Sequence, residues 1–466
     1  VYWKVSNIFM DYDLLVIGSG SAAFAAGIEA RSLGASVALV EQATVGGTCV
    51  NVGCVPSKTL LAAAGITAQS RHNNFTGLAT SSGPVDLGAL VTQKDELVSH
   101  LRQSKYVDVA KSHGFEILKG RARFVDQQTV MVGQSKILAK SIIVATGAEP
   151  AVPKIRGIDS IDYLTSTTAM DLRTLPERLI VIGAGFVGVE QAQLFSQLGS
   201  TVTLRGRLLP SAEPELTAIL DQVLKDDGVA RCTSRVVAIE RTSDGIVVHC
   251  EDGSFAVGDQ VLVATGRRSR VHDLNVNEGG IALDERGRIK VDATLRTSNP
   301  QVWAAGDVVA GPQFVYVAAT SGRVAAHNAI TGSSETVDFT GLPHIAFTTP
   351  QLAWSGMTEQ EARNSGLTVE VRTLSLDQVP RAIANRETRG AIKLVADAAT
   401  HRLLGAHVLA DHGGELLFAA TLAIKANLTI EDLASTWAPY LTMNEGFKLA
   451  AQSFSKNVAE LSCCAS

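Results

Sequence analysis

The sequence is poor in cysteine, with six in 466 residues. So few in so long a chain do not make the dense disulfide framework of a small secreted domain. Long apolar runs are also missing. Stretches such as 14–17 and 142–145 fall far short of the roughly 20 residues a membrane helix needs. Neither sign of charge dominates: 41 Lys and Arg stand against 46 Asp and Glu, a net charge of −5. That balance argues against a nucleic-acid surface or a membrane surface as partner. No charged-then-apolar leader opens the sequence, so the cytosol is the expected compartment. What remains, 46% apolar and 19% charged residues, is the composition of an ordinary globular enzyme. The length allows about three domains.

Two glycine turns dominate what is present. Asp13 to Ile17 reads as a buried strand entering the turn Gly18-Ser19-Gly20-Ser21-Ala22-Ala23, with an Ala-rich helix to about Leu33 and a second strand closing on Glu41. Gly18, Gly20 and Ala23 form a G-x-G-x-x-A pattern inside a βαβ unit. The glycines let the backbone approach a pyrophosphate, the helix N-terminus adds positive potential, and Glu41 is placed to bond a ribose hydroxyl. The pattern recurs at Gly183, Gly185 and Gly188, with Glu190 just inside the helix and a second strand, 201–204, followed by Arg205, Gly206 and Arg207. Arginines there accommodate a 2′-phosphate, so the second dinucleotide is expected to be NADPH. Thr146-Gly147 and Thr265-Gly266 each follow an apolar strand, and another strand runs toward Asp307. The first nucleotide domain is therefore expected at 1–155 and 265–340, split by an inserted NADPH domain at 156–264. A third, α+β domain follows at 341–466, with strands near 369–374, 390–395 and 403–409 and helices near 415–426 and 444–454. The fold class is α/β.

Four of the six cysteines fall into two pairs. Cys49 and Cys54 lie among Gly46, Gly47 and Gly53, ahead of an apparent helix from about Pro56 that carries Lys58. A thiol near a helix N-terminus and a lysine is biased toward the reactive thiolate. Cys463 and Cys464 are adjacent, which makes a strained disulfide at best and suits a soft metal ion better. Cys232 and Cys250 read as isolated core cysteines.

The run Gly46 to Lys58, Gly-Gly-Thr-Cys-x-Asn-x-Gly-Cys-x-Pro-Ser-Lys, resembles the redox box of the class I pyridine nucleotide–disulfide oxidoreductases. The resemblance extends over essentially the whole chain. It implies FAD, a homodimer with active sites shared between subunits, Cys54 facing the flavin and Cys49 meeting the substrate. It further implies that Gly47, Thr48, Thr146, Gly147, Gly266 and Asp307 serve the cofactors, and that Lys58 and Glu190 form an ion pair beside the flavin. Disulfide-reducing members carry His-Pro-Thr-x-x-Glu near the C-terminus. Here Thr442 and Glu445 match, but Tyr440 replaces the His. A phenol with a pKa near 10 is a poor proton shuttle at neutral pH. A metal held by thiolates needs no such shuttle. The missing His and the Cys463-Cys464 tail are similar to the metal-reducing members, and Tyr106 is similar to a family tyrosine on the metal path. The expected activity is NADPH- and FAD-dependent reduction of Hg(II) to Hg(0). The ion would pass from thiol complexes through Cys463 and Cys464 to Cys49 and Cys54. The alternatives are a disulfide reductase of the same family and a non-enzymatic metal-sequestering flavoprotein.

Overall fold

A computed structural model describes residues 10–460. The chain divides into two compact units. One takes the chain up to Ser57 with Val91–Ala151 and Gly266–Asp338; the other takes Lys58–Leu90, Val152–Thr265 and the chain from Phe339 onward. Cys463 and Cys464 lie outside the described residues.

The first unit is built on a seven-stranded sheet. Its centre is the strand Tyr12–Ile17, parallel to Val37–Glu41 on one side and Ser135–Val144 on the other, with Leu15 opposite both Ala38 and Ile142. Glu116–Lys119 extends it beyond Val37–Glu41, and Val302–Ala304 pairs with the end of Ser135–Val144. The stretches 14–17, 37–40 and 142–144 of these strands read as unbroken apolar runs because both faces are covered. Leu14, Val16 and Leu39 join one cluster, Leu15, Ile17, Ala38 and Val40 the other. The helices Ser21–Ser32 and Val315–Thr331 pack against each other over the first face. Their approach is close enough that a Cβ on Gly322 would lie 2.0 Å from the Ala22 carbonyl oxygen.

Among the described residues the second unit holds three sheets. The first is parallel, in the order Ala230–Cys232, Thr201–Arg205, Arg178–Ile182, Gln260–Val263, Leu164–Thr165. An antiparallel meander, Val236–Thr242, Gly245–Cys250 and Phe255–Gly258, covers it through Ile239, Ile246 and Val248 on Ile180 and Ile182. The third sheet is antiparallel, in the order Pro343–Ala346, Gln351–Gly356, Leu403–Ala410, Ala391–Asp397, Val369–Ser375. Helices Gly413–Lys425 and Met443–Gln452 supply apolar faces to its core. Three of these strands and both helices stand within a few residues of where the sequence pattern puts them. One buried cation ties the parts of this unit together. Lys393, 1% exposed, donates to Glu213 at 2.8 Å and to Glu215 and Glu359 at 2.9 Å each. Burial opposes that charge, but the three carboxylates outweigh it and push the ammonium pKa up.

Among the described residues, one helical run, Gly47–Arg71, with mean hydropathy 1.3, is long and apolar enough by length and composition to cross a membrane. Asn51, Ser57 and Lys58 divide its apolar residues. The run breaks at Gly53, whose φ is −122° and ψ −106°.

Candidate active site

In the first unit, the strand Tyr12–Ile17 delivers Gly18 into the turn with φ 122°. A Cβ there would sit 2.3 Å from the Ala145 carbonyl oxygen, so only glycine fits. Gly20 precedes the helix Ser21–Ser32, and Ala23 is fully buried in it. Glu41, at the end of the neighbouring strand, accepts a short hydrogen bond from the Ser19 hydroxyl and another from the Ala43 amide at 2.6 Å. Thr146 is fixed by donating to the Arg270 carbonyl at 2.7 Å. No atom lies within 4 Å of a Cβ placed on Gly147 or Gly266. Asp307 follows Gly306, φ 76°, in a short 3-10 turn past the strand Val302–Ala304. Burial raises the Asp307 pKa, against the pull of Arg267, whose Nε lies 3.7 Å away. Arg267 is itself lowered by burial, and its Nε has no hydrogen-bond partner. This open glycine cradle, with a carboxylate at each side and an arginine with donor capacity to spare, fits a dinucleotide.

The cysteine segment is docked on that cradle. Gly47, φ 64°, packs so tightly that its Cβ would fall 2.5 Å from Gly20 Cα. The Gly46 amide donates to the Ser19 carbonyl at 3.1 Å. Cys49 sits in the short helix Gly47–Val52, and Cys54 opens the helix Cys54–Arg71, two residues earlier than the Pro56 start expected. Both sulfurs belong to half-buried residues. Asn51 closes the segment: its amide donates to the Val45 and Gly47 carbonyls at 3.0 and 2.9 Å and its oxygen accepts from Arg102 at 2.7 Å. Sequence reasoning passed over Asn51 and Arg102 as site residues; the Asn between the two cysteines was the available signal. Thr48 receives a long contact, 3.5 Å, from Arg267. Tyr106 lies in a π-helical turn, Gln103–Val107, with its ring edge-on to Phe24 at 4.8 Å. Burial raises its phenol pKa, the charge of Cys49 adds to this, and a hydrogen bond with Ser21 opposes it. The fold thus sets the tyrosine beside the cysteines.

The second unit repeats the turn. Gly183 has φ 105° and would bring a Cβ to 2.3 Å from the Ala264 carbonyl oxygen. Gly185 caps the helix Phe186–Leu198 with open space around it. Gly188 is closer still, its Cβ 1.8 Å from the Gly183 oxygen. Glu190, 5% exposed, accepts from Lys58 at 2.7 Å and from the Phe347 amide at 2.9 Å. The Lys58 ammonium also stands 4.5 Å from the centre of the Phe347 ring.

The two arginines have different settings. Arg207 is exposed. Arg205 is 4% exposed; its Nη1 donates to Cys250 Sγ and Ser254 Oγ at 3.4 Å each, and its Nε has no hydrogen-bond partner. It lines a cavity of about 650 Å³ together with Lys225, Arg231, Cys232 and Asp252. Cys232 and Cys250 are therefore not isolated core cysteines. The edge strand Ala230–Cys232 and the meander strand Gly245–Cys250 meet through Ser254, a long-range approach that the spacing of the two residues does not reveal. Further along, Tyr440 is exposed, and the Leu441 amide beside it donates to buried Glu445 at 3.1 Å.

Residues 12–322 match the pyridine nucleotide-disulphide oxidoreductase pattern, and residues 342–451 match the dimerisation domain of that group. The chain belongs to this family. Among its relatives are a mercuric reductase of Staphylococcus aureus, 47% identical over 98% of this chain and 84% of the relative. A mercuric reductase of Streptomyces lividans is 48% identical over 97% of this chain and 98% of its own length. Among solved structures, the HOCl-induced flavoprotein disulfide reductase RclA from Escherichia coli superposes with a TM-score of 0.86 at 30% identity, over 96% of this chain and all of that one.

Proposed function

We propose that the chain reduces Hg(II) to Hg(0) at the expense of NADPH. The observation that carries this is identity of 47–48% to mercuric reductases over nearly the whole chain. The replacement of the family's shuttle His by Tyr440 supports it.

FAD is held by the first unit through Gly18, Gly20, Ala23, Glu41, Gly47, Thr48, Thr146, Gly147 and Asp307. NADPH is held by Gly183, Gly185, Gly188, Arg205 and Arg207. When bound, the two cofactors supply a hydride and pass on two electrons; the chain's own residues do the rest. Cys463 and Cys464 take Hg(II) from small thiol complexes, two protein thiolates displacing two leaving thiolates. Cys49 and Cys54 then take it by the same exchange. Asn51 and Arg102 hold the segment that carries them, and Lys58 and Glu190 fix the charge next along the cysteine helix. The ion gains two electrons, NADPH loses two and a proton is released, so the reaction balances without protonating a leaving thiol. Glu445 holds the Tyr440 loop in place.

We assign residues 1–155 and 265–340 to the flavin domain, 156–264 to the NADPH domain and 341–466 to the interface domain. A homodimer follows from the dimerisation domain, and Phe418 and Trp437, 74% and 95% exposed, offer apolar surface for it. Sites shared between subunits and a cytosolic location complete the reading. The test is NADPH oxidation with Hg(II) in excess thiol, beside glutathione disulfide. Fast turnover with Hg(II) alone is expected. Replacing Cys463 and Cys464 with Ala should slow turnover of the bis-thiol complex far more than that of a weakly ligated Hg(II) salt. Robust turnover of the disulfide would move the enzyme to the disulfide reductases.

A further inference from the structure

The inserted part of the second unit carries a second pair of thiols. Cys232 Sγ, Cys250 Sγ and a carboxylate oxygen of Asp252 lie within 4.8 Å of one another. Both thiols are free. The cluster has an approach from solvent, since Cys232 and Asp252 line the cavity of about 650 Å³.

The cluster is also held in shape. The chain turns between Cys250 and Ser254, with the Cys250 amide donating to the Ser254 carbonyl at 2.8 Å. Ser254 in turn donates through its amide and hydroxyl to Asp252 Oδ1, at 3.0 and 2.7 Å. Its hydroxyl is 3.5 Å from Cys232 Sγ. On the other side the Gly206 amide donates to the Cys232 carbonyl at 2.8 Å, fixing the edge strand. The three candidate ligand atoms thus come from two strands and a turn that are already tied together.

Ligand chemistry and charge select the occupant. Two sulfurs and one oxygen suit a thiophilic divalent cation rather than a hard one, which prefers an all-oxygen shell. As ligands the two thiolates and the carboxylate bring three negative charges. Arg205, donating to Cys250 Sγ at 3.4 Å, brings one positive charge. The remainder is two negative charges, which one divalent cation cancels. The three ligands, Arg205 and the cation together then carry no net charge.

We infer that Cys232, Cys250 and Asp252 form a second site for a soft divalent cation, separate from the Cys49–Cys54 pair. On binding, two sulfur–metal bonds form, two thiol protons go to solvent, and the metal keeps its oxidation state. The proposal does not depend on the activity assigned above.

The test uses Cd(II) on the full-length flavin-loaded chain in which Cys49, Cys54, Cys463 and Cys464 are all replaced by Ser. One Cd(II) per chain is expected, with a thiolate-to-metal absorption band. Adding Cys232→Ser or Cys250→Ser should abolish that band. Asp252→Asn should keep it and weaken affinity by about tenfold. Excess Ca(II) should not compete. Absence of stoichiometric Cd(II), survival of the band in either cysteine variant, or displacement by Ca(II) would overturn the proposal. If the four-serine chain does not hold flavin, the comparison moves to the otherwise unaltered chain. There, Cys232→Ala with Cys250→Ala must lower bound Cd(II) by one per chain, and an unchanged count refutes the site.

Discussion

The two glycine turns are the same backbone device with opposite charge. The strand leading into the first carries Asp13 as its second residue and its neighbour ends with Glu41; the strand leading into the second begins with Arg178 and its neighbour ends with Arg205. Gly18 and Gly183 meet the same constraint, a carbonyl oxygen 2.3 Å from any Cβ. At the third motif position they diverge. Gly188 presses on its own turn, whereas the first unit has Ala23 there and makes its close approach through Gly322 on a second helix. The shared backbone geometry suits a dinucleotide, and on the proposal above the charge at the strand end sets which ribose it carries. The Cys232 cluster adjoins Arg205, and among the described residues it has no counterpart at Glu41.

The sharpest way to break this comparison is to remove the arginines. With Arg205 and Arg207 both Ala, the lost charge-assisted bonds should cost about 1.5–3 kcal/mol of NADPH binding. That raises the Michaelis constant for NADPH roughly ten- to hundredfold and leaves the constant for NADH nearly unchanged. Equal losses with both cofactors would show that the strand end does not read the 2′-phosphate.

A smaller effect separates the third positions. Gly188→Ala forces a Cβ against the Gly183 oxygen and should cost about 1–3 kcal/mol, with weaker NADPH binding in a fluorescence titration. Ala23→Gly should cost at most about 1 kcal/mol and leave flavin bound. The comparison fails if thermal unfolding ranks the two the other way.

The smallest effect concerns Asp13, one residue inside the first strand. Asp13 accepts from Lys140 at 2.7 Å and from the amide and hydroxyl of Ser36 at 2.7 and 2.8 Å. The Lys140 bond, then those from Ser36, hold its carboxyl pKa down at about 2. A lowered folded pKa gives stability that is present above the ordinary value near 4 and is lost as pH falls through about 2. Asp13→Asn should therefore destabilise at neutral pH, by less than about 1 kcal/mol because the pair is partly exposed and screened. The gap between variant and parent should close between pH 4 and 2. A gap that stays constant across that window would remove the electrostatic account.

Both turns, the redox box and the three later strands were legible because each is local. A glycine that must have positive φ, a cysteine beside it and an alternating or unbroken apolar run all leave marks within a dozen residues. Asn51 with Arg102, Arg267 with Asp307, and Lys393 with its three glutamates were not legible. Each joins residues that are distant in sequence, and a lone Lys or Arg looks like surface until the fold buries it. Cys232 and Cys250 were misjudged for the same reason. Sequence separation kept them apart, and the meander brought them together.

The contact between Ser21–Ser32 and Val315–Thr331 has a consequence for how the protein is made. A ribosome emits the first helix early, but Gly322, which must slide onto the Ala22 carbonyl, emerges only after the entire inserted nucleotide fold has been synthesised. Until then the nascent sheet lacks its Val302–Ala304 strand and has one helix layer unfilled, leaving apolar surface and a strand edge open. The insertion, contiguous at 152–265, faces no such wait for its own two glycine-turn strands. Order of translation therefore reverses the order of the motifs: the nucleotide fold that is read first from the sequence is the last to be closed.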